Sequence, residues 1–416
     1  MEKVEFTKEM IKDYTILLPN MLPTHFELIR NIIKSEGYNV ALLNNSSENI
    51  PREGLKYVHN DTCYPALLVI GQMIDALKSG DYDVHKVALM ITQTGGGCRA
   101  SNYIHLLRKA LETAGYGFIP VVSLNISGLE KTGGFSLSLS MLQRMLTSVV
   151  YGDMLMLLKN QLLPYEVHKG ETIALENKFI TELSKELREH KFHSNGRIKK
   201  NLTKIVEEFS KIEIKKTNKT KVGIVGEIYI KYASLGNNHL EEFLQSQNCE
   251  IFVPGLFSFI LFKLDNRTED IKLYGGNIFK KIGVDAVMKY LQTIEKMLIS
   301  IAGKDGKFIT SSTYSHLKTL VNGVIGYGNK MGEGWLLTAE MLELIDLGYE
   351  NIVCAQPFGC LPNHIVGRGM LKKIKSIREN ANIVPIDYDP SATKVNQENR
   401  IKLMLAMATT QSQALL

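Results

Sequence analysis

The sequence predicts an α/β protein of two Rossmann-like, doubly wound parallel-sheet domains joined by a helical connector. Three observations predict it. Short apolar runs alternate with stretches of helical periodicity in the first third of the chain, this alternation stops, and it starts again near residue 220. Apolar strands alternating with amphipathic helices are typical of a parallel sheet covered on both faces. The length, 416 residues, exceeds what one hydrophobic core usually holds.

The first domain is expected at residues 1–133. Its apolar runs predict strands at 13–20, 38–45, 86–94 and 118–125. Helical spacing predicts helices at 24–37, 63–80 and 100–115. Gly37 and Gly115 end the first and last of these segments, as glycine commonly does at the end of a helix. This domain carries Cys63 and Cys98.

The strand signal disappears over residues 134–219, which we interpret as the helical connector. The alternation returns in a second domain at 220–416, which carries Cys354 and Cys360. Strands are expected there at 221–230, 249–255, 351–357 and 382–389. Whether the two domains are distant copies of one architecture is left open by the sequence.

Composition and charge narrow the classes of function. Hydrophobic residues make up 44% and charged residues 22%, as in an ordinary globular protein, and the net charge is +6. Basic runs such as 372–378 are typical of solvated helix faces, and no aromatic platform or groove-reading motif accompanies them, so no nucleic-acid binding is expected. The sequence holds no run of eighteen uncharged apolar residues, and its charged N-terminal segment is unlike a signal peptide. We therefore expect no membrane span and a cytoplasmic location.

The five cysteines are an odd number, and reduced thiols are expected rather than a disulfide framework. Cys98 follows a predicted strand and three glycines, Cys63 precedes a predicted helix, and Cys354 and Cys360 lie at a strand end and in the loop after it. Ligands of open parallel sheets bind beyond the carboxyl ends of the strands, so we expect three or four of these thiols in one cleft between the domains. The alternative is that Cys354 is a buried strand thiol and the others are incidental. Cys249, at the start of a strand, is expected to be a core thiol.

Four polar residues are further candidates. Glu227 follows a predicted strand and is either an acid–base group or a helix cap. His364, four residues after Cys360, is either a ligand or proton donor or a structural histidine at a helix start. Glu333, between two glycines, is either a site edge or an acidic residue before a helix. Arg99 beside Cys98 could balance negative charge or meet a phosphate.

Four segments resemble the 2-hydroxyacyl-CoA dehydratase superfamily, and within it the branch of CoA-enzyme activase-related proteins, which is similar to the dehydratase D-component and to double-cubane proteins. The resemblance covers roughly residues 13–410. Its segments are HNDTCYPALLVIGQMIDAL, ITQTGGGCRASNY, VGEIYIKY and QPFGCLPNHIVGRGM.

The resemblance implies an oxygen-sensitive [4Fe-4S] cluster, or a larger double-cubane cluster, held between the domains by Cys63, Cys98 and one or both of Cys354 and Cys360. It also implies a low-potential electron from an ATP-dependent activase, a small substrate such as an acyl-CoA that is dehydrated or reduced, and a homo- or heterodimer. The sequence has no phosphate-binding glycine loop followed by Lys-Ser/Thr, so the ATPase is expected on a partner protein.

The number of cysteine ligands separates the functions that remain. Three ligands leave one iron open to a substrate, which favours catalysis. Four ligands close the cluster, which favours a non-catalytic electron carrier. A third alternative is a zinc-binding or structural interaction protein.

Overall fold

The computed structural model describes residues 4–93, 96–124, 133–190 and 192–414, with side chains up to residue 408. Within these residues eight strands form two sheets of four strands, and every pairing is parallel. The first sheet contains β1 (Thr15–Pro19), β2 (Asn39–Leu43), β3 (Val87–Thr92) and β4 (Val121–Leu124). The second contains β5 (Thr220–Gly226), β6 (Cys249–Phe252), β7 (Asn351–Pro357) and β8 (Asn382–Tyr388).

Both sheets have the same strand order, β2-β1-β3-β4 in the first and β6-β5-β7-β8 in the second. The predicted α/β class with two parallel sheets is confirmed, and each predicted strand segment contains a strand. In the first sheet, β2 is added on one side of β1 and the later strands on the other, so the strand order reverses between β1 and β3. The second sheet has the same switch point between β5 and β7. The carboxyl ends of the strands form a crevice at such a switch point, which is where α/β sheets bind ligands.

Helices surround both sheets. The first unit has α1 (Pro23–Ser35), α2 (Asn49–Tyr57), α3 (Tyr64–Lys78) and α4 (Tyr103–Thr113). The segment predicted as a helical connector contains α5 (Leu139–Leu162), α6 (Glu171–Glu189) and α7 (Asn195–Ser210). The remaining helices are α8 (Ile228–Tyr232), α9 (Ser234–Asn237), α10 (Leu240–Ser246), α11 (Leu256–Tyr274), α12 (Ile278–Ala302), α13 (Tyr314–Leu320), α14 (Trp335–Asp346), α15 (Leu361–Val366), α16 (Leu371–Ile377) and α17 (Lys394–Ala414). Among the described residues, no helix combines the length and apolar character that crossing a bilayer requires.

Helix α2 is not predicted by the sequence pattern, because Pro51 and Gly54 lower its intrinsic helix propensity. It forms through packing. A side chain at Gly54 would clash with the backbone of Leu67 in α3, and one at Gly71 would clash with the backbone of Ile50 in α2. The two glycines therefore allow α2 and α3 to lie backbone against backbone, and α3 begins at the candidate site.

Helix α5 joins the two sheet units through one buried carboxylate. Asp153 accepts a hydrogen bond from His25 Nε2 in α1 at 2.9 Å. The same carboxylate accepts the backbone N–H groups of Leu256 at 2.9 Å and Phe257 at 2.8 Å, which begin α11. A Cβ atom at Gly152 would lie 2.5 Å from the His25 ring, so this position must lack a side chain. The Tyr-Gly-Asp sequence at 151–153 thus holds the first unit against the second.

Replacement of Asp153 by Asn is expected to lower the free energy of unfolding by about 2–4 kcal/mol, because an amide places N–H atoms against groups that are themselves donors. Urea denaturation followed by circular dichroism measures this loss. The control is Asp305→Asn, which removes the same formal charge from an exposed turn and should change stability by less than about 0.5 kcal/mol. Equal losses in the two variants would contradict the role given to Asp153.

Candidate functional site

A cavity of about 350 Å³ lies where the two units meet. Three of the four cysteines singled out from the sequence, Cys63, Cys98 and Cys360, line it together with Glu227 and Glu333. The first two cysteines come from the first unit, and the other three residues come from the second. The cavity wall is therefore built from both halves of the chain.

Each of the three thiols lies on the residue immediately before a helix or helical turn. Cys63 precedes α3, and Cys360 follows β7 and precedes α15. Cys98 follows β3 and precedes the short 3₁₀ turn Arg99–Asn102, which leads into α4. Glu227 has the same position between β5 and α8. Unpaired backbone N–H groups at helix starts favour negative charge, so this placement suits thiolates and carboxylates.

The two loops that carry Cys63 and Cys360 touch each other directly. The backbone N–H of Tyr64 donates a hydrogen bond to the carbonyl of Phe358 at 3.0 Å. Gly359 has a φ of +73°, and a Cβ atom there would lie 3.1 Å from the Cα of Cys63. The absence of a side chain at Gly359 therefore brings the two cysteine loops together.

Cys63 and Cys360 are buried and Cys98 is partly buried, and in the absence of a ligand the three thiols are protonated. Burial raises the pKa of Cys63 to about 11, although the hydroxyl of Tyr103, 2.8 Å from its sulfur, opposes this shift. Burial raises the pKa of Cys98 and of Cys360 as well, and Glu333 and Glu227 add to both shifts. Any cation that binds these sulfurs as thiolates must displace their protons, so such binding strengthens as the pH rises.

Two carboxylates share the cavity with the thiols. Glu227 accepts a hydrogen bond from the N–H of Ile230 at 3.0 Å, and Glu333 accepts one from the N–H of Ile228 at 2.9 Å. Burial and the nearby Glu333 raise the pKa of Glu227 to about 8. A carboxyl group with this pKa exchanges a proton near neutral pH, which is the property of a general acid or base.

Three other sequence candidates lie elsewhere or at the edge. Cys354 is fully buried within β7 and does not line the cavity, and burial raises its pKa to about 12. His364 lies in the second turn of α15, and it too is not part of the cavity wall. Arg99 lines the cavity, and its guanidinium donates a hydrogen bond to the carbonyl of Asp61. Cys249 is buried in β6, as expected for a core thiol.

The donor set of the cavity suits a cationic group that prefers sulfur. Among the described residues, no three His, Cys, Asp or Glu side chains are arranged to share one metal ion. The cavity volume of about 350 Å³ is, however, far larger than the ~30 Å³ that one water molecule occupies in the liquid. Three thiols and two carboxylates around such a space fit a thiolate-bound group of several metal atoms, with each sulfur on a different atom.

No family model and no curated protein sequence matches this chain.

Sequence reasoning did not assign two residues of the wall to the site. The Tyr103 hydroxyl contacts the Cys63 sulfur. Met331 fills the space beside Gly97, and a side chain at Gly97 would clash with the Met331 sulfur. An aromatic residue at the start of a helix and a methionine in a loop give no chemical signal by themselves. Only the folded chain reveals their neighbours.

Replacement of Gly359 by Ala is expected to separate the two cysteine loops. Gly348→Ala is the matched control, because Gly348 has a similar φ of +84° but no atom within 4 Å of the added Cβ. Backbone strain should destabilise both variants by about 1 kcal/mol, and the contact with Cys63 should cost Gly359→Ala a further ~1–2 kcal/mol. Urea denaturation measures the difference, and equal losses would mean that the Cys63 contact is not tight.

Proposed function

We propose that this chain is an iron–sulfur protein of the 2-hydroxyacyl-CoA dehydratase type, with two Rossmann-like units that hold a [4Fe-4S] cluster through Cys63, Cys98 and Cys360. In this proposal an ATP-dependent activase supplies low-potential electrons. A small substrate, such as an acyl-CoA, is then dehydrated or reduced in the cavity between the units.

One observation carries the proposal: three thiols from three separate loops line one cavity, and the fourth candidate, Cys354, does not. Three sulfur ligands leave one iron of a four-iron cluster without a cysteine. This arrangement favours catalysis over the electron-carrier alternative, which needs a fully ligated cluster.

The cavity residues have properties that suit such a reaction. A bound cluster would supply an electron and an iron atom with a free coordination position. Glu227, whose pKa is raised to about 8, can give a proton to a departing hydroxyl group, which then leaves as water. Arg99 on the cavity wall is exposed, and its cationic side chain suits the phosphate groups of a CoA ester.

The residues at the mouth of the cavity form an apolar surface that suits the docking of a partner protein. Met331, Leu361 and Ile365 line the cavity and are also 44%, 69% and 48% exposed, and the neighbouring Phe358 is 51% exposed. A cluster of exposed apolar residues marks an interaction surface. An activase bound over this surface would lie next to the three thiols, and short distances favour electron transfer.

Cysteine-to-serine variants test the ligand set. After anaerobic expression and reconstitution, the Cys63→Ser, Cys98→Ser and Cys360→Ser variants should each keep less than roughly a fifth of the wild-type iron and sulfide, because loss of one thiolate exposes the cluster. Cys354→Ser is the matched control, since it changes a buried thiol outside the cavity and should keep its iron. Iron and sulfide analysis, together with EPR of the reduced protein, provides the measurement.

Two outcomes would contradict this proposal. Wild-type protein that stays colourless after anaerobic reconstitution would exclude the cluster. Equal losses of iron in Cys354→Ser and Cys360→Ser would favour a closed, four-cysteine site and hence the electron carrier.

A further inference from the structure

One oxygen of the Glu333 carboxylate has no hydrogen-bond donor within the part of the chain that the structure describes. The Glu333 side chain is only 6% exposed and lines the cavity beside the three cysteines. Oε1 accepts the N–H of Ile228 at 2.9 Å, whereas among the described residues no donor reaches the buried Oε2. A buried, unpaired carboxylate oxygen is costly, and one on a residue that lines a cavity is available to bind a group that the protein chain does not contain.

The loop around Glu333 is built to hold this carboxylate in place. Gly332 and Gly334 flank it, and both have a positive φ, of 60° and 52°. Lys263 Nζ donates a hydrogen bond to the Gly332 carbonyl at 2.5 Å, and the Trp335 N–H donates to the Asn329 carbonyl at 2.7 Å. Glycine adopts a positive φ without steric cost, so the two glycines let the loop turn sharply on both sides of Glu333.

The electrostatic contacts of Glu333 place it next to two of the cluster thiols. Its charge raises the pKa of both Cys98 and Cys360, and for each of these thiols it exerts the largest effect of any charged group. Burial lowers the pKa of Lys263, and the charges of Glu333 and Cys98 oppose this shift, so one ammonium group lies near them and offsets part of their repulsion. A cation bound among the ionised thiols and the Glu333 carboxylate would offset more of it.

We infer that Glu333 binds, through Oε2, the iron atom that the three cysteines leave without a protein ligand. This inference rests on the proposed cluster site. Glu227 is the weaker candidate, because one of its oxygens caps α8 through the Ile230 N–H and, unlike Glu333, it has no buried oxygen without a partner among the described residues. Carboxylate oxygen binds iron but is more easily displaced than thiolate, so Glu333 would protect the open iron until a substrate replaces it.

The test compares Glu333→Gln with Glu227→Gln after anaerobic reconstitution with ⁵⁷Fe. In wild-type protein we expect Mössbauer spectra with one distinct iron in four, and slow loss of that iron on mild oxidation with ferricyanide, followed through the EPR signal of the three-iron form. In Glu333→Gln the distinct iron should change its spectrum and be lost several-fold faster, because a neutral amide is a poor ligand. Glu227→Gln should resemble the wild type in both measurements.

A second measurement needs no variant, and so does not depend on whether Glu333→Gln folds. Wild-type protein labelled with ¹³C at the glutamate carboxyl groups should show a ¹³C coupling in electron–nuclear double resonance of the reduced cluster. A cluster-loaded protein that lacks this coupling, or a Glu333→Gln variant with unchanged spectra and unchanged iron loss, would overturn the inference and leave the three-cysteine cluster standing. Wild-type protein that takes up no cluster would overturn both.

Discussion

The buried carboxylate of Asp153 is the constraint on which the meeting of the two units depends. It binds a histidine of α1 on one side and caps α11 on the other, and it lies in the middle of the long helix α5. The glycines at 152 and 255 provide the space, since a Cβ atom at Gly255 would lie 2.6 Å from Asp153 Oδ2. Because the cysteine cavity takes its wall from both units, a residue that does not line the cavity fixes its geometry.

Much of the fold could be predicted from the sequence, because a buried parallel strand is an apolar run whatever surrounds it. The exceptions are set by tertiary contacts. Pro51 and Gly54 disfavour a helix in the isolated segment. Helix α2 forms nevertheless, because Gly54 in α2 and Gly71 in α3 let the two helix backbones pack closely together. Likewise the predicted strand 221–230 ends at Gly226, where a φ of 150° turns the chain and Glu227 caps a new helix.

The candidate site was only partly predictable. The cysteines could be found because thiols at strand ends are chemically distinctive. Cys354 and Cys360 could not be ranked from sequence, since they lie six positions apart and the choice depends on where β7 ends. In the fold, Cys354 is paired inside the sheet between Val225 and Pro385, and only Cys360 reaches beyond the strand end. The proximity of Glu227 and Glu333 could not be predicted either, because the two residues are far apart in the sequence. The glycines on both sides of Glu333 are also typical of an ordinary loop.

The contact between the loops of Cys63 and Cys360 has a consequence for the order of events in the cell. Cys63 and Cys98 belong to the first sheet unit and Cys360 follows β7 of the second, so a growing polypeptide has no complete site until β7 and the loop after it have been made. Gly359, in the loop after β7, packs against Cys63 of the first unit. A group held by all three thiols can therefore bind only when both sheet units are present, and a product that stops before β7 would carry Cys63 and Cys98 without the rest of the cavity wall.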